Sequence, residues 1–326
     1  MTRDDFLMLC RMLKLICNKS SNKDVEYQVL QLSKLLGNVE FIEKLARFYN
    51  FGWTGNNDFI HIPNVDQIID NMFKHPIIVA TDKNGEILGV STLKCECNND
   101  YKLDPYFPYN DIKYLSITGI LAKKDNKIKG IGKKIYEIAL IGSYLFNQLN
   151  PDVKLMCVID CRNKFSLEAA KMATRYANIQ YGLPITASIT GYYEVRSEET
   201  EKLLESPTFV LEFLMKNKGK LLQKNMNFEY LTTDFNEHLS VLQSVSGLEN
   251  ISKLVRNYDD GVGNVDYFEF NEKIDANYVS VNPGFSSIGN ARKVIDMNYF
   301  HDGNDKIEDI QEYVRRRTLE RCMIRR

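Results

Sequence analysis

Apolar residues near the start of the chain recur three and four positions apart. Phe6, Leu7, Leu9, Cys10, Leu13, Ile16 and Cys17 form such a series, the spacing of one apolar helix face. Ser20-Ser21-Asn22 interrupts it. A second helical pattern is predicted over residues 24–36, with Gly37 as its C-cap, and a third over residues 39–49. Residues 51–57 read as a loop whose tryptophan, Trp53, plugs the core. Residues 65–73 read as a short helix capped by Asn64.

The pattern then shortens to strands. Residues 76–81 and 87–95 are two strand-like runs around Asp82-Lys83-Asn84-Gly85, and an Asn-Gly tip between such runs predicts a β-hairpin. Residues 98–111 are a polar loop and residues 114–122 another strand. Lys127-Ile128-Lys129-Gly130-Ile131-Gly132-Lys133-Lys134 follows, then an amphipathic helix to Leu149. Beyond Pro151 come a strand over 154–160, a turn at Cys161-Arg162-Asn163 and a helix over 164–177. Residues 185–196 alternate as a strand, with Thr186, Ser188, Thr190 and Tyr192 on one face. Residues 197–205 read as helix or loop and 208–215 as a strand.

After a junction at residues 216–220 the character changes. A helix is predicted over 236–256, a turn over 259–264, short strands over 265–270 and 276–281, and an amphipathic helix over 305–323. That last helix is acidic at its start and basic at its end, as the helix dipole favours. The fold class is therefore α/β (α+β): a central mixed sheet flanked by helices. Three parts are expected: a helical N-terminal segment (1–58), a central domain (59–216) and an α+β C-terminal extension (217–326). The aromatic-rich extension is expected to pack on the core or to make a homo-oligomer or assembly contact.

Composition narrows the partners. Net charge is −1 and 44% of the 326 residues are hydrophobic. Such a chain has no overall pull toward nucleic acid or an anionic membrane, and the basic end of 305–323 reads as a solvated helix end. No apolar run approaches the roughly 20 residues a membrane helix needs. The acidic start is a poor secretory signal, so a cytoplasmic protein is expected, host-cytoplasmic if the chain is viral. Seven cysteines without framework spacing fit free thiols in a reducing compartment. Cys95-Glu96-Cys97 reads as thiols on a strand, and the four scattered histidines lack ligand spacing, so no metal site is expected.

The glycine stretch carries the candidate chemistry. A glycine turn between a strand and a helix start presents unpaired N–H groups and the positive end of the helix dipole to an anion. It lacks the G-K-[ST] ending of a nucleotide-triphosphate loop and the third glycine of a dinucleotide turn.

The order hairpin, strand, K-x-x-G-x-G turn, long helix, strand, helix, strand, strand resembles the GCN5-related N-acetyltransferase (GNAT) superfamily over residues 60–216. Lys127-Ile128-Lys129-Gly130-Ile131-Gly132 is similar to that family's Arg/Gln-x-x-Gly-x-Gly/Ala motif, with lysine in place of Arg/Gln. Asn163 with Ser166 and Ala169 resembles its second motif. The resemblance implies an acyltransferase, most simply an N-acetyltransferase, that moves an acyl group from acetyl-CoA or another acyl-CoA to an amine. It implies that backbone groups of Ile128, Lys129, Gly130, Ile131, Gly132 and Lys133, with Lys127 beside them, hold the coenzyme A pyrophosphate. Ile120, Leu121 and Ala122 would pair with the pantetheine arm, and Asn163 and Ser166 would lie near it. The tyrosine that often protonates the thiolate falls on Ala170. No acidic residue lies within 115–121, where the base often sits. Tyr192 and Glu194 are the candidate catalytic pair, sharing a strand face. The competing reading is a GNAT-like fold without turnover, serving as a binding or assembly module.

Overall fold

The computed structural model describes residues 3–30, 39–49, 75–96, 114–123, 127–160, 164–196, 203–214, 221–223, 226–228, 251–259 and 264–281. The expectations for residues 51–57, 65–73, 98–111, 216–220, 236–250 and 305–323 lie outside them. The described residues fall into two compact units. One takes the residues up to Cys95 together with 118–142. The other takes Glu96, 114–117 and 143–281. The chain passes between them inside two strands and inside one helix.

In the first unit, α1 (Arg3–Ser20) is the predicted amphipathic helix, burying Leu9, Cys10, Leu13, Ile16 and Cys17. It packs against β1 (Val25–Val29). This strand corrects the first part of the helix expected over 24–36; residues 31–37, with its Gly37 cap, lie outside the described residues. Val25, Tyr27 and Val29 are buried while Glu26 and Gln28 turn outward, and this period of two, in β-favouring residues, outweighs the weaker helical spacing. Asn22 and Ser21 start the strand, with the Asn22 carboxamide accepting from the N–H groups of Asp24 and Val25. Helix α2 (Val39–Arg47) matches the third helical pattern. Strands β2 (Ile77–Asp82) and β3 (Ile87–Glu96) form the predicted hairpin. Asp82 tightens the turn by accepting from the N–H groups of Asn84 and Glu86, and Gly85 takes φ +78°. The sheet order here is β1-β2-β3-β4, where β4 spans Tyr114–Ala122.

In the second unit the order runs β4-β5-β7-β6-β11-β10. The first residues of β4 pair in parallel with β5 (Lys154–Asp160), from Tyr114↔Lys154 to Ile117↔Cys157. The other neighbours on this path, β7 (Leu203–Leu214), β6 (Thr186–Arg196), β11 (Asn264–Asp275) and β10 (Ser252–Asp259), are antiparallel. Two short strands, β8 (Leu221–Leu222) and β9 (Met226–Phe228), pair in parallel with β11 and with β12 (Val279–Val281). Helix α3 (Ile131–Leu149) follows β4, and α4 (Lys164–Tyr181) follows β5. Helix α4 buries Leu167, Ala170, Ala173, Thr174 and Ala177. Tyr114, Met156, Tyr193, Val210, Val265 and Tyr267 form a buried cluster on one sheet face.

Further expectations change here. Strand β7 begins at Leu203 rather than 208, because its first residues pair with Val195 and Arg196. Residues 252–256 belong to β10 rather than to a helix, since pairing with β11 satisfies their backbone. Strand β11 extends five residues past Phe270. Residues 276–278, expected as the start of a strand, form a 3-10 turn capped by Asp275, with β12 beginning only at Val279; the described parts of the other predicted helices and the hairpin stand as expected.

Candidate functional site

The glycine turn is built by a close approach within the first unit. A Cβ placed on Gly89 of β3 would lie 2.7 Å from Ile131 Cγ2 and 2.9 Å from the Leu121 carbonyl oxygen. Only glycine lets the first turn of α3 settle on β3 and β4 at that depth. The ladder between these strands is continued by Lys123, whose N–H donates to the Leu88 carbonyl at 2.9 Å. Ser91 Oγ donates to the Thr118 carbonyl, and Thr118 Oγ1 to the Thr92 carbonyl.

Gly130 takes φ +83°, a left-handed conformation that turns the chain into α3. Its carbonyl accepts the helix's first bond, from the Lys134 N–H at 2.9 Å. The N–H groups of Ile131 and Gly132 therefore have no helical carbonyl four residues back. No acidic residue occupies this first turn. Nothing lies within 4 Å of a Cβ added at Gly130. One at Gly132 meets only Ala122 Cβ at 3.7 Å and Ile120 Cγ2 at 3.8 Å. The turn is thus an open cradle of backbone donors, ringed by Ile120 and Ala122, which are both half-buried, and by the buried Leu121.

The lysines around it divide. Lys127 and Lys129 are exposed, and Ile128 between them is half-buried. Lys133 and Lys134 are both drawn to Glu137, at 3.7 Å for Lys133 and closer still for Lys134. The Glu137 side chain is only 3% exposed, and the sequence reading did not single it out. Its spacing, three and four residues after two lysines on a helix, was the available signal.

Within the second unit, the ladder between β4 and β5 runs from Tyr114↔Lys154 to Ile117↔Cys157.

The other candidates lie in the second unit. Asn163 is outside the described residues, and Ser166 sits half-buried in the first turn of α4. Ala170 is fully buried on the inner face of α4, so the position that often carries a tyrosine is packed core. Tyr176 meets Tyr181 edge-on at 6.0 Å.

Tyr192 and Glu194 are 3% and 1% exposed. They share a face against β11, opposite Phe268 and Asp266. Tyr192 stacks on Phe268 with ring centroids 5.0 Å apart and tilts toward Phe270 at 5.7 Å. The expected alignment of Tyr192 with Thr186 and Ser188 does not occur. The register shifts between Ile189 and Gly191, so Ser188 pairs with Glu212 while Tyr192 pairs with Phe209. One extra residue in a period of two sends Tyr192 to the opposite face. Among the described residues no group of His, Cys, Asp and Glu could hold a metal ion.

No family model matches this chain, and no curated protein matches it. Solved structures similar to it include an N-acetyltransferase from Staphylococcus aureus Mu50, at 13% identity and TM-score 0.35 over 59% of this chain and 97% of that one. The NatC complex bound to Gag peptide and CoA is similar at 14% identity and TM-score 0.38, over 59% and 98%. Chaetomium thermophilum Naa20 in complex with a bisubstrate analogue is similar at 13% identity and TM-score 0.37, over 57% and 84%. By its own order of elements, with hairpin, strand, glycine turn, helix, parallel strand, helix and two antiparallel strands, the chain has a GNAT-like fold.

Proposed function

We propose that this chain is an acyl-CoA-dependent N-acyltransferase, most simply an N-acetyltransferase acting on an amine. The observation that carries the reading is the glycine turn itself. Gly130, at φ +83°, delivers the N-terminus of α3, with no acidic residue in its first turn, beside the end of β4. A pyrophosphate suits the N–H groups of Ile131 and Gly132, with Lys127 and Lys129 adding charge at the rim. A pantetheine arm would hydrogen-bond to the extended backbone of Ile120, Leu121 and Ala122 at the end of β4, as another strand would. Bound acyl-CoA supplies a thioester whose carbonyl carbon accepts the amine nitrogen while the C–S bond breaks. The chain's part is to fix that carbonyl, exclude water and manage two protons. Tyr192 and Glu194 stay the candidates for the proton steps.

Calorimetric titration with coenzyme A tests the binding half. Wild-type protein binds, and Gly130→Glu and Gly132→Glu, which set a carboxylate where phosphate belongs, do not. Absence of binding by the wild type refutes the proposal. Release of free thiol from acetyl-CoA in the presence of a panel of primary amines tests the transfer half. Binding without any transfer makes the chain a binding module instead.

A further inference from the structure

Among the described residues, the outer face of α4 presents exposed apolar side chains. Phe165, Met172 and Ile179 lie seven residues apart on it and are 83%, 49% and 73% exposed. Between them on the same stripe stand Glu168, its side chain 46% exposed, and Arg175, also exposed. The stripe therefore reads Phe-Glu-Met-Arg-Ile at alternating spacings of three and four, the a/d pattern of a helix seam. The opposite face, with Leu167, Ala170, Ala173 and Ala177, is the one packed in the core.

We infer that this stripe is a homodimer contact in which α4 pairs antiparallel with α4 of a second copy, across a two-fold axis through Met172. The stripe is self-complementary when reversed, as a two-fold interface requires. Phe165 and Ile179 are each seven residues from Met172, so Phe165 of one copy meets Ile179 of the other. Glu168 lies four residues before Met172 and Arg175 three after, which brings the acid of one copy level with the base of the other to within about 1.5 Å along the axis. A random exposed apolar stripe would not match acid to base on reversal. Arg175 has no ion pair among the described residues. Lys171 bonds Glu168 at 2.9 Å and the Val279 carbonyl at 2.7 Å, and the second Glu168 carboxylate oxygen is the one that meets Arg175 of the other copy. An 18-residue helix is about 27 Å long. One such pair buries less than a standard interface of roughly 1,600 Å², so the association is concentration-dependent.

Sedimentation velocity on the full chain across a wide concentration range is the test, with melting curves as a folding control. Wild type shifts from the 37.7 kDa monomer toward twice that mass. Met172→Glu, which puts two carboxylates on the axis, weakens association by roughly tenfold or more. Glu168→Arg alone weakens it, and Glu168→Arg with Arg175→Glu restores it. Under mild oxidation Met172→Cys cross-links to its own copy above the wild-type background, while Phe165→Cys does not. A wild type that stays monomeric throughout, a dimer indifferent to Met172→Glu, or a charge swap that fails to restore association overturns the inference. Equal cross-linking at positions 165 and 172 also overturns it, because that reports parallel helices.

Discussion

Gly89 and Ile131 are in mutual contact that leaves no room for a side chain on the glycine, since a Cβ there would stand 2.7 Å from Ile131 Cγ2. The contact couples the middle of a buried hairpin strand to the first residue of α3, and so sets where the glycine turn presents its N–H groups. Gly89→Ala is expected to destabilise the protein by about 1–3 kcal/mol through overpacking. It should also weaken coenzyme A binding more than stability alone explains. Adding Ile131→Val should recover part of both losses. Urea denaturation and calorimetry on the single and double variants measure this.

The two glycines of the turn should behave differently when replaced by alanine. Gly130 holds φ +83°, so Gly130→Ala is expected to cost about 1–2 kcal/mol of stability from backbone strain alone. Gly132 has ordinary backbone angles, and an added methyl meets neighbours only at 3.7 and 3.8 Å. Gly132→Ala should leave the melting temperature close to wild type while lowering coenzyme A affinity. Unchanged affinity in that variant would place the phosphates elsewhere.

Glu137 restrains two of the four lysines around the turn. Glu137→Gln removes that competitor and frees Lys133 and Lys134 for the ligand. Coenzyme A affinity is expected to rise a few-fold, on the order of 0.5–1 kcal/mol for partly exposed cations. Its salt dependence should steepen as more positive charge meets phosphate. The same titration repeated across ionic strengths detects both effects, and a fall in affinity would show that Glu137 orients the lysines instead.

In the second unit Glu212 joins strands that are not neighbours. Its buried carboxylate meets Lys154 of β5 at 3.7 Å and Lys273 of β11 at 2.5 Å. The lysine side chains are 35% and 31% exposed, so water can take over once the acid is gone. Glu212→Gln is therefore expected to cost about 1–2 kcal/mol, less than breaking a fully buried pair. Chemical denaturation of the variant provides the figure.

Alkaline pH should unfold the protein earlier than exposed side chains would. Burial pushes the Cys10 and Cys17 thiols from an ordinary 9.0 up to about 12. It also pushes Tyr27 and Tyr49 from 10.0 up to about 12, with Glu137 and Cys17 adding to the shift at Tyr27. These groups bind their protons more tightly folded than unfolded, so the unfolded state loses protons first as pH rises. The stability they contribute is complete below about pH 9 and drains away between 9 and 12. Urea midpoints across that range should fall steadily. The two thiols should resist alkylation at pH 8 in the native protein and react in urea.

Much of the core was legible in the chain because its signals are local. The heptad-like spacing from Phe6 to Cys17, the Asn84-Gly85 tip and the glycine turn before a long amphipathic run each depend on residues within a few positions of one another. The failures were also physical. Residues 24–36 offered both a helical and an alternating pattern, and pairing Val25 with Asp82 and Val29 with Ile78 on β2 decided for the strand. Residues 252–256 were drawn into β10 by a partner strand that only the fold brings alongside. The alternation from Thr186 to Tyr192 looked unbroken, yet the register shift beside Gly191 sends Tyr192 into an aromatic stack with Phe268.

The sequence by itself determined most of the order of elements and the position of the glycine turn before α3, since periodicity and glycine placement act over short range. Tertiary structure alone decided that Gly89 sets the depth of α3, that Lys133 and Lys134 lean on a buried Glu137, and that α4 keeps a self-complementary stripe outside. Each depends on which surfaces meet across long stretches of chain, and that is settled by packing rather than by local pattern.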